Sequence, residues 1–113
     1  VMNLYPYTSG HLMVATNRHV GDLEALTTDE ADAVMAMTRD AVVALKAAYT
    51  PDGINVGLNL GRAAGAGVPG HLHVHVVPRW TGDTNFMTSV AEVRVLPEAL
   101  PRSFDRVRAA WPT

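Results

Sequence analysis

The sequence predicts one α+β domain, in which an antiparallel sheet packs against a long central helix and a C-terminal helix. Residues 54–60 and 72–79 alternate apolar with polar or small side chains, which is typical of half-buried strands. Residues from about 27 to 50 repeat apolar side chains at helical spacing. A length of 113 residues with 48% hydrophobic content suits a single domain with a modest core.

The first predicted elements are two short strands, at residues 1–5 and 11–15. The intervening residues 6–10 are rich in turn-forming Pro, Ser and Gly, so the two strands are expected to form a hairpin. The central helix follows, because Thr27 and Glu30 have the spacing of a capping box. Its end is predicted near residues 51–53, where Pro and Gly interrupt the pattern.

The next predicted strand, 54–60, carries small and amide side chains on its polar face. If it pairs antiparallel with 72–79, Asn59 can lie on the histidine-bearing face of the sheet, although the register is open. The connecting loop contains a G-x-G-x-x-G pattern but leads into a strand, so it is not a dinucleotide-binding turn. Its N–H groups can meet an anion, and a plain flexible connector fits the composition equally well. A further strand is predicted at 92–96, and a helix from Pro97 to about Trp111.

Three of the five histidines, His71, His73 and His75, alternate along the strand predicted at 72–79. Side chains two apart on a strand share a face, so these imidazoles form a row, here called the imidazole row. Imidazole can bind a metal, move a proton or attack an electrophile. A metal-binding β protein stays an alternative, but the chain has no Cys and no acid follows closely, so no metal is assigned. Nothing in the sequence pairs His19 with the row, and a surface or loop-ordering role is predicted for it.

Charge and composition exclude several classes of function. The net charge of −2 offers no basic surface for a nucleic-acid backbone, so no nucleic-acid partner is expected. The absence of Cys excludes disulfide scaffolds, and no apolar stretch is long enough to cross a bilayer. A cytoplasmic location without membrane contact is therefore expected.

The run HLHVHVV, residues 71–77, resembles the motif of the histidine triad (HIT) superfamily of nucleotide hydrolases and transferases. The resemblance extends to NLYPYTSGH at 3–11 and from Asn59 to Arg79. Within the superfamily, NLYPY, HLHVHVVPRW and the segment 82–86 are most similar to the bacterial diadenosine tetraphosphate phosphorylase branch. The resemblance implies a half-barrel domain over residues 1–113, lacking upstream strands found in relatives, and assembly as a homodimer or a higher homo-oligomer.

The resemblance also implies cleavage of a dinucleoside polyphosphate at the α-phosphate. His73 would attack to form a nucleotidyl-histidine, which phosphate or water then resolves. The carbonyl of His71 would orient His73, and His75 would meet the leaving oxygen. His11 and Asn59 would hold the α-phosphate, while Asn3 matches a ribose-contacting position.

The loop before the imidazole row bears on whether phosphate or water accepts the nucleotidyl group from His73. The branch carries a Gly-Ser pair there that helps hold phosphate, whereas this chain has Ala66-Gly67-Val68 and no hydroxyl. Arg62 and the backbone N–H groups of Gly65, Ala66 and Gly67 are the expected substitutes. Trp80 can stack on a base, seal a dimer or simply pack at a strand end. No cofactor is required, although Mg²⁺ can arrive with the polyphosphate. A nucleotide-binding module without turnover stays an alternative.

Overall fold

A computed structural model describes residues 10–82 and 100–112 of the chain. In this part the strands are β1 (Leu12–Ala15), β2 (Gly53–Gly57) and β3 (His73–Arg79), and the helices are α1 (Thr28–Tyr49) and α2 (Leu100–Ala110). Short 3₁₀ turns lie at Leu23–Ala25 and Arg62–Ala64. The α+β class, the antiparallel sheet, the long helix and the C-terminal helix are confirmed. The strands predicted at 1–5 and 92–96 and the helix start at Pro97 lie outside the described residues.

The sheet has the order β1-β3-β2, and both pairings are antiparallel. Strand β3 is central because it pairs with both β1 and β2. Its even-numbered side chains, such as Val74 and Val76, are buried against α1. The register places Met13 opposite His75 and Ala15 opposite His73. The odd-numbered residues of β3, which include His73 and His75, therefore face away from α1.

Helix α1 begins with the predicted capping box. The Glu30 N–H donates to Thr27 Oγ1 (3.1 Å), and the Thr27 N–H donates to Glu30 Oε1 (2.8 Å). The Arg18 guanidinium also donates to both carboxylate oxygens of Glu30, and these hydrogen bonds lower the pKa of Glu30 to about 2. The turn after β1 is thereby tied to the first turn of α1.

Small side chains let α1 approach the sheet closely. Ala41 and Ala44 are fully buried beside Leu45, and they form one core with Val76. The helix ends at Tyr49, just before the end predicted near residues 51–53, since Thr50 adopts the left-handed conformation (φ 47°) and Pro51 cannot continue the helix. Helix α2 adds Val107 to this core, and its Arg106 guanidinium lies 5.1 Å from the centre of the Tyr49 ring.

Strand β2 is shorter than the sequence predicts, since it ends at Gly57 instead of residue 60. The predicted apolar face is also incompletely covered, with Val56 50% and Leu60 44% exposed. The reason is its position: β2 lies at an edge of the described sheet, while α1 packs mainly over β1 and β3. Among the helices of the described residues, none is long and apolar enough to cross a membrane.

Candidate active site

The imidazole row lies on the open face of the sheet, as the alternation predicts. His71, His73 and His75 are partly exposed, whereas Leu72, Val74 and Val76 between them are buried. The cross-strand neighbours on this face are small or flexible, namely Ala15 opposite His73 and Gly57 opposite His75. They leave a cleft of about 260 Å³ lined by Met13, Ala15, Val68, His71 and His73.

His73 is held in one tautomer by the backbone. Its Nδ1 lies 2.9 Å from the carbonyl oxygen of His71, so Nδ1 must carry the hydrogen that is donated. In the neutral ring, Nε2 then carries the lone pair, and the ring lines the cleft. The contact between the His71 carbonyl and His73 is the one that the family resemblance implies. This hydrogen bond leaves the lone pair of the neutral His73 ring on Nε2.

His75 is paired with His11, the residue just before β1. The two rings approach at His11 Nε2 and His75 Nδ1, 3.1 Å apart. Burial, and next the charge of His75, lower the pKa of His11 to about 4. Burial, and next the charge of His73, lower the pKa of His75. Both rings are therefore neutral at neutral pH, and a single proton lies in the hydrogen bond between them.

The position of that proton decides what His75 can offer a substrate. When His11 donates from Nε2, His75 accepts at Nδ1 and must carry its own proton on Nε2. The His75 ring stands edge-to-face with His73, with centroids 4.9 Å apart. In that arrangement the row presents a lone pair on His73 beside a proton donor on His75.

His71 is held by the turn after β1. Its Nε2 donates to the Thr16 carbonyl (2.7 Å), and its Nδ1 lies 3.1 Å from Nδ1 of His19. The expectation that nothing pairs His19 with the row is therefore wrong. The sequence did contain a signal for this contact. If the strand starting at His11 pairs antiparallel with the strand of the row, the residues that follow the first strand come close to residue 71. Only the register, which pairs Ala15 with His73, makes that signal usable.

Asn59 lies beyond the end of β2, next to the glycine-rich loop. Its Nδ2 is 3.8 Å from the point where a Cβ on Gly65 would stand. The N–H groups of Gly65 and Ala66 donate to the carbonyls of Arg62 and Gly61. These two amides therefore complete a turn within the loop, and their contact with a phosphate stays a prediction. Gly67 is exposed in the same loop.

Trp80 follows β3 at the end of the strand away from His71. Its ring meets the edge of Tyr49, with centroids 6.4 Å apart. Tyr49 is the last residue of α1, so this contact favours the packing role of Trp80 over base stacking. Asn3, the predicted ribose contact, lies outside the described residues.

Four ring nitrogens of the row have hydrogen bonds to carbonyls or to other imidazoles, and one of them is His71 Nδ1, which meets His19. His73 Nδ1 and His71 Nε2 bond to carbonyl oxygens, and His75 Nδ1 bonds to His11. Within residues 10–82 and 100–112, no group of three or more His, Asp or Glu side chains is placed to hold a metal ion.

Comparison with known proteins adds to this geometry. A sequence model described as HIT domain matches residues 1–82. The chain is 52% identical over 111 residues to a protein named AP-4-A phosphorylase from Mycobacterium tuberculosis, covering 98% of this chain and 57% of the relative. It is 33% identical over 82 residues to the protein named bis(5'-nucleosyl)-tetraphosphatase [asymmetrical] from Schizosaccharomyces pombe, covering 73% of this chain and 44% of the relative. The chain thus spans a little over half the length of the first of these relatives.

Solved structures share the fold. A Zn-bound histidine triad family protein from Mycobacterium smegmatis superposes with a TM-score of 0.76 at 27% identity, covering 96% of this chain and 73% of that one. A HIT-like protein from Bartonella henselae also has a TM-score of 0.76, at 24% identity, with 96% and 76% covered. The arrangement of sheet and helices described above is therefore one already known.

Proposed function

The chain belongs to the HIT domain family, and we propose that it cleaves a dinucleoside polyphosphate of the diadenosine tetraphosphate type through a nucleotidyl intermediate on His73. The observation that carries the proposal is the 2.9 Å hydrogen bond from His73 Nδ1 to the His71 carbonyl. It leaves the lone pair of Nε2 available in a cleft. The names of the phosphorylase and tetraphosphatase relatives support the choice of substrate.

In the first step, His73 Nε2 attacks the α-phosphorus of the substrate. The new P–N bond forms as the P–O bond to the bridging oxygen breaks, and the electron pair leaves with the departing nucleotide. The phosphorylated ring keeps its Nδ1 hydrogen and becomes positively charged. The His71 carbonyl accepts that hydrogen, and the bond is stronger to a charged donor, so it stabilises the intermediate.

His75 would assist the leaving group. With His11 donating to its Nδ1, His75 carries a proton on Nε2 and can donate it toward the bridging oxygen, where negative charge develops. Its lowered pKa keeps the ring neutral, so it does not repel a positive charge forming on the neighbouring His73.

The second step transfers the nucleotidyl group from His73 to phosphate or to water. Phosphate as the acceptor is supported by the name of the 52% identical relative. Water as the acceptor is supported by the loop, because the side chain that it sends to the cleft is that of Val68, which has no hydrogen-bond donor. The two acceptors release different products: phosphate produces ADP, and water produces AMP.

The test incubates the chain with diadenosine tetraphosphate, with and without inorganic phosphate, and separates ADP from AMP. ADP that depends on phosphate identifies a phosphorylase, and AMP without a phosphate effect identifies a hydrolase. Substrate labelled at the α-phosphorus should also leave label on the protein after rapid denaturation, but not on His73→Ala. Nucleotide binding without any product would reduce the chain to a binding module.

Other features of the proposal follow the family resemblance. A homodimer, a cytoplasmic location and independence of a bound cofactor stay predictions, with Mg²⁺ entering on the substrate polyphosphate. The chain can be treated with a chelator, and Mg²⁺ then added back to pair with the substrate polyphosphate. Turnover that persists under these conditions separates this proposal from a metal enzyme. Sedimentation of the purified chain measures its oligomeric state.

A further inference from the structure

We infer that His19 is a positioning residue for the nucleophile, acting through His71. This assignment rests on the proposed function for the role of His73. The starting observation is that two imidazoles meet at like atoms, with Nδ1 of His19 3.1 Å from Nδ1 of His71 and the rings perpendicular at 87°. Only one of these nitrogens can carry the shared hydrogen.

The Thr16 carbonyl decides which one it is. It lies 2.7 Å from Nε2 of His71, and a carbonyl can only accept, so His71 carries its hydrogen on Nε2. In the neutral ring, His71 Nδ1 is then the acceptor, and His19 must donate from Nδ1. A directed series results: His19 donates to the His71 ring, which donates to Thr16.

The peptide group after His71 links this series to the nucleophile. Its carbonyl accepts from His73 Nδ1 (2.9 Å), while its N–H, that of Leu72, donates to the Val20 carbonyl (2.6 Å). The plane of one peptide is thus held between Val20 and His73. Because the side chain of the same residue is held by Thr16 and His19, the turn after β1 holds residue 71 at both its ring and its peptide.

The close approach of the two segments is built into the sequence. Any side chain at Gly21 would collide with the Pro69 carbonyl, so glycine lets the turn lie directly against the loop before the row. His19 itself is exposed, and its replacement removes little buried apolar surface. An effect of its replacement on the reaction is therefore separable from an effect on folding.

Three variants of the full chain test the inference. We expect His19→Ala to lower kcat about tenfold with KM little changed, as loss of an outer hydrogen-bond partner does at other sites. His19→Asn should restore most of the rate, because its amide N–H occupies the place of Nδ1–H. Arg18→Ala is the matched control in the same turn: Arg18 bonds to Glu30 and the Ala25 carbonyl, so its loss should leave kcat unchanged.

The tautomer of His73 supplies a readout that needs no turnover. In ¹⁵N spectra of the free protein, protonated and unprotonated ring nitrogens have distinct shifts. We expect His73 to be protonated at Nδ1 in the parent chain, His19→Asn and Arg18→Ala, and to show a mixture of tautomers in His19→Ala. Should His19→Ala fail to fold, His19→Gln, whose amide cannot reach the Nδ1 position, replaces it.

The outcomes separate this inference from the proposed function. An unchanged kcat and an unchanged His73 tautomer in His19→Ala would overturn the positioning role. A His19→Asn variant as slow as His19→Ala would also overturn it. A tautomer shift in a chain that releases neither ADP nor AMP would keep the positioning role and reject the proposed function.

Discussion

The two ends of the imidazole row hold their histidines by different means. At the His71–His73 end, each ring donates to a backbone carbonyl, that of Thr16 or of His71 itself. At the His75 end, Nδ1 meets the ring of buried His11, and burial lowers the pKa of both rings. A carbonyl can only accept and so dictates one tautomer, whereas an imidazole can accept or donate. The difference suits a nucleophile at one end and a proton donor at the other.

Loss of the His73 ring, at the end held by backbone carbonyls, should have the largest effect on kcat. We expect His73→Ala to lower kcat by about 10³-fold or more, because no other group in the row can form the covalent intermediate. Quenched-flow trapping of labelled protein measures the intermediate, and thermal unfolding checks that the variant is folded. Activity of His73→Ala equal to that of the parent would reject the covalent mechanism.

At the His75 end, the loss of kcat should depend on which ring nitrogen the new side chain replaces. His75→Asn keeps a polar group near Nδ1 but removes the Nε2 donor, and we expect about a 10²-fold loss of kcat, the usual contribution of a general acid. His75→Gln, with its amide near Nε2, should lose less. A nucleotide with a p-nitrophenyl leaving group needs no proton, so His75→Asn should cleave it nearly as fast as the parent. An equal loss on both substrates would contradict the assignment.

Acid should destabilise the folded chain through the His11–His75 pair. The pKa of His11 is about 4 in the folded chain and 6.5 when unfolded, so the unfolded chain binds more protons between these values. Stability is then complete above about pH 6.5 and falls as the pH drops toward 4, by about 2 kcal/mol between pH 7 and 4.5. Urea unfolding across this range measures the slope. His11→Gln, which still donates from its amide, should flatten it, and an unchanged slope would place the titration elsewhere.

The smallest expected effect concerns the loop beside the carbonyl-held end. Val68→Thr adds a hydroxyl to the cleft with little change of shape. If phosphate is the acceptor, we expect its KM to fall a few-fold, the value of about one neutral hydrogen bond. Val68→Ala is the control for lost bulk. The ratio of ADP to AMP at a fixed phosphate concentration measures the effect, and equal ratios in both variants would contradict it.

Local patterns predicted the elements well. The capping box of Thr27 and Glu30 was correct because both partners lie within one helical turn. The alternation of His73 to Val76 was correct because a strand has a period of two whatever it packs against, and the strand begins at His73, two residues after His71. The predicted end of β2 was wrong because a strand's length depends on its neighbours. Past Gly57 the chain leaves β3, although the apolar alternation continues to Leu60.

The candidate active site shows the same difference between what local sequence patterns predict and what packing decides. Three roles were open for Trp80 from the sequence, and the contact of its ring with Tyr49 favours packing at the strand end. Contact of the Gly65 and Ala66 amides with an anion stays a prediction, and in the folded chain these amides complete a turn with residues 61 and 62. Composition shows which donors exist, whereas only the folded backbone shows which of them are already used.

By itself, the sequence determined that His73 and His75 share one face, because the geometry of a strand is local to a few residues, and it placed His71 directly before them. Only the tertiary structure decided their partners. His11 reaches His75 across 64 residues, and His19 reaches His71 across 52. These contacts depend on the register of β1 against β3, which is set by packing over the whole core. The hydrogen-bond partners, and with them the different roles proposed for chemically identical rings, follow from that register.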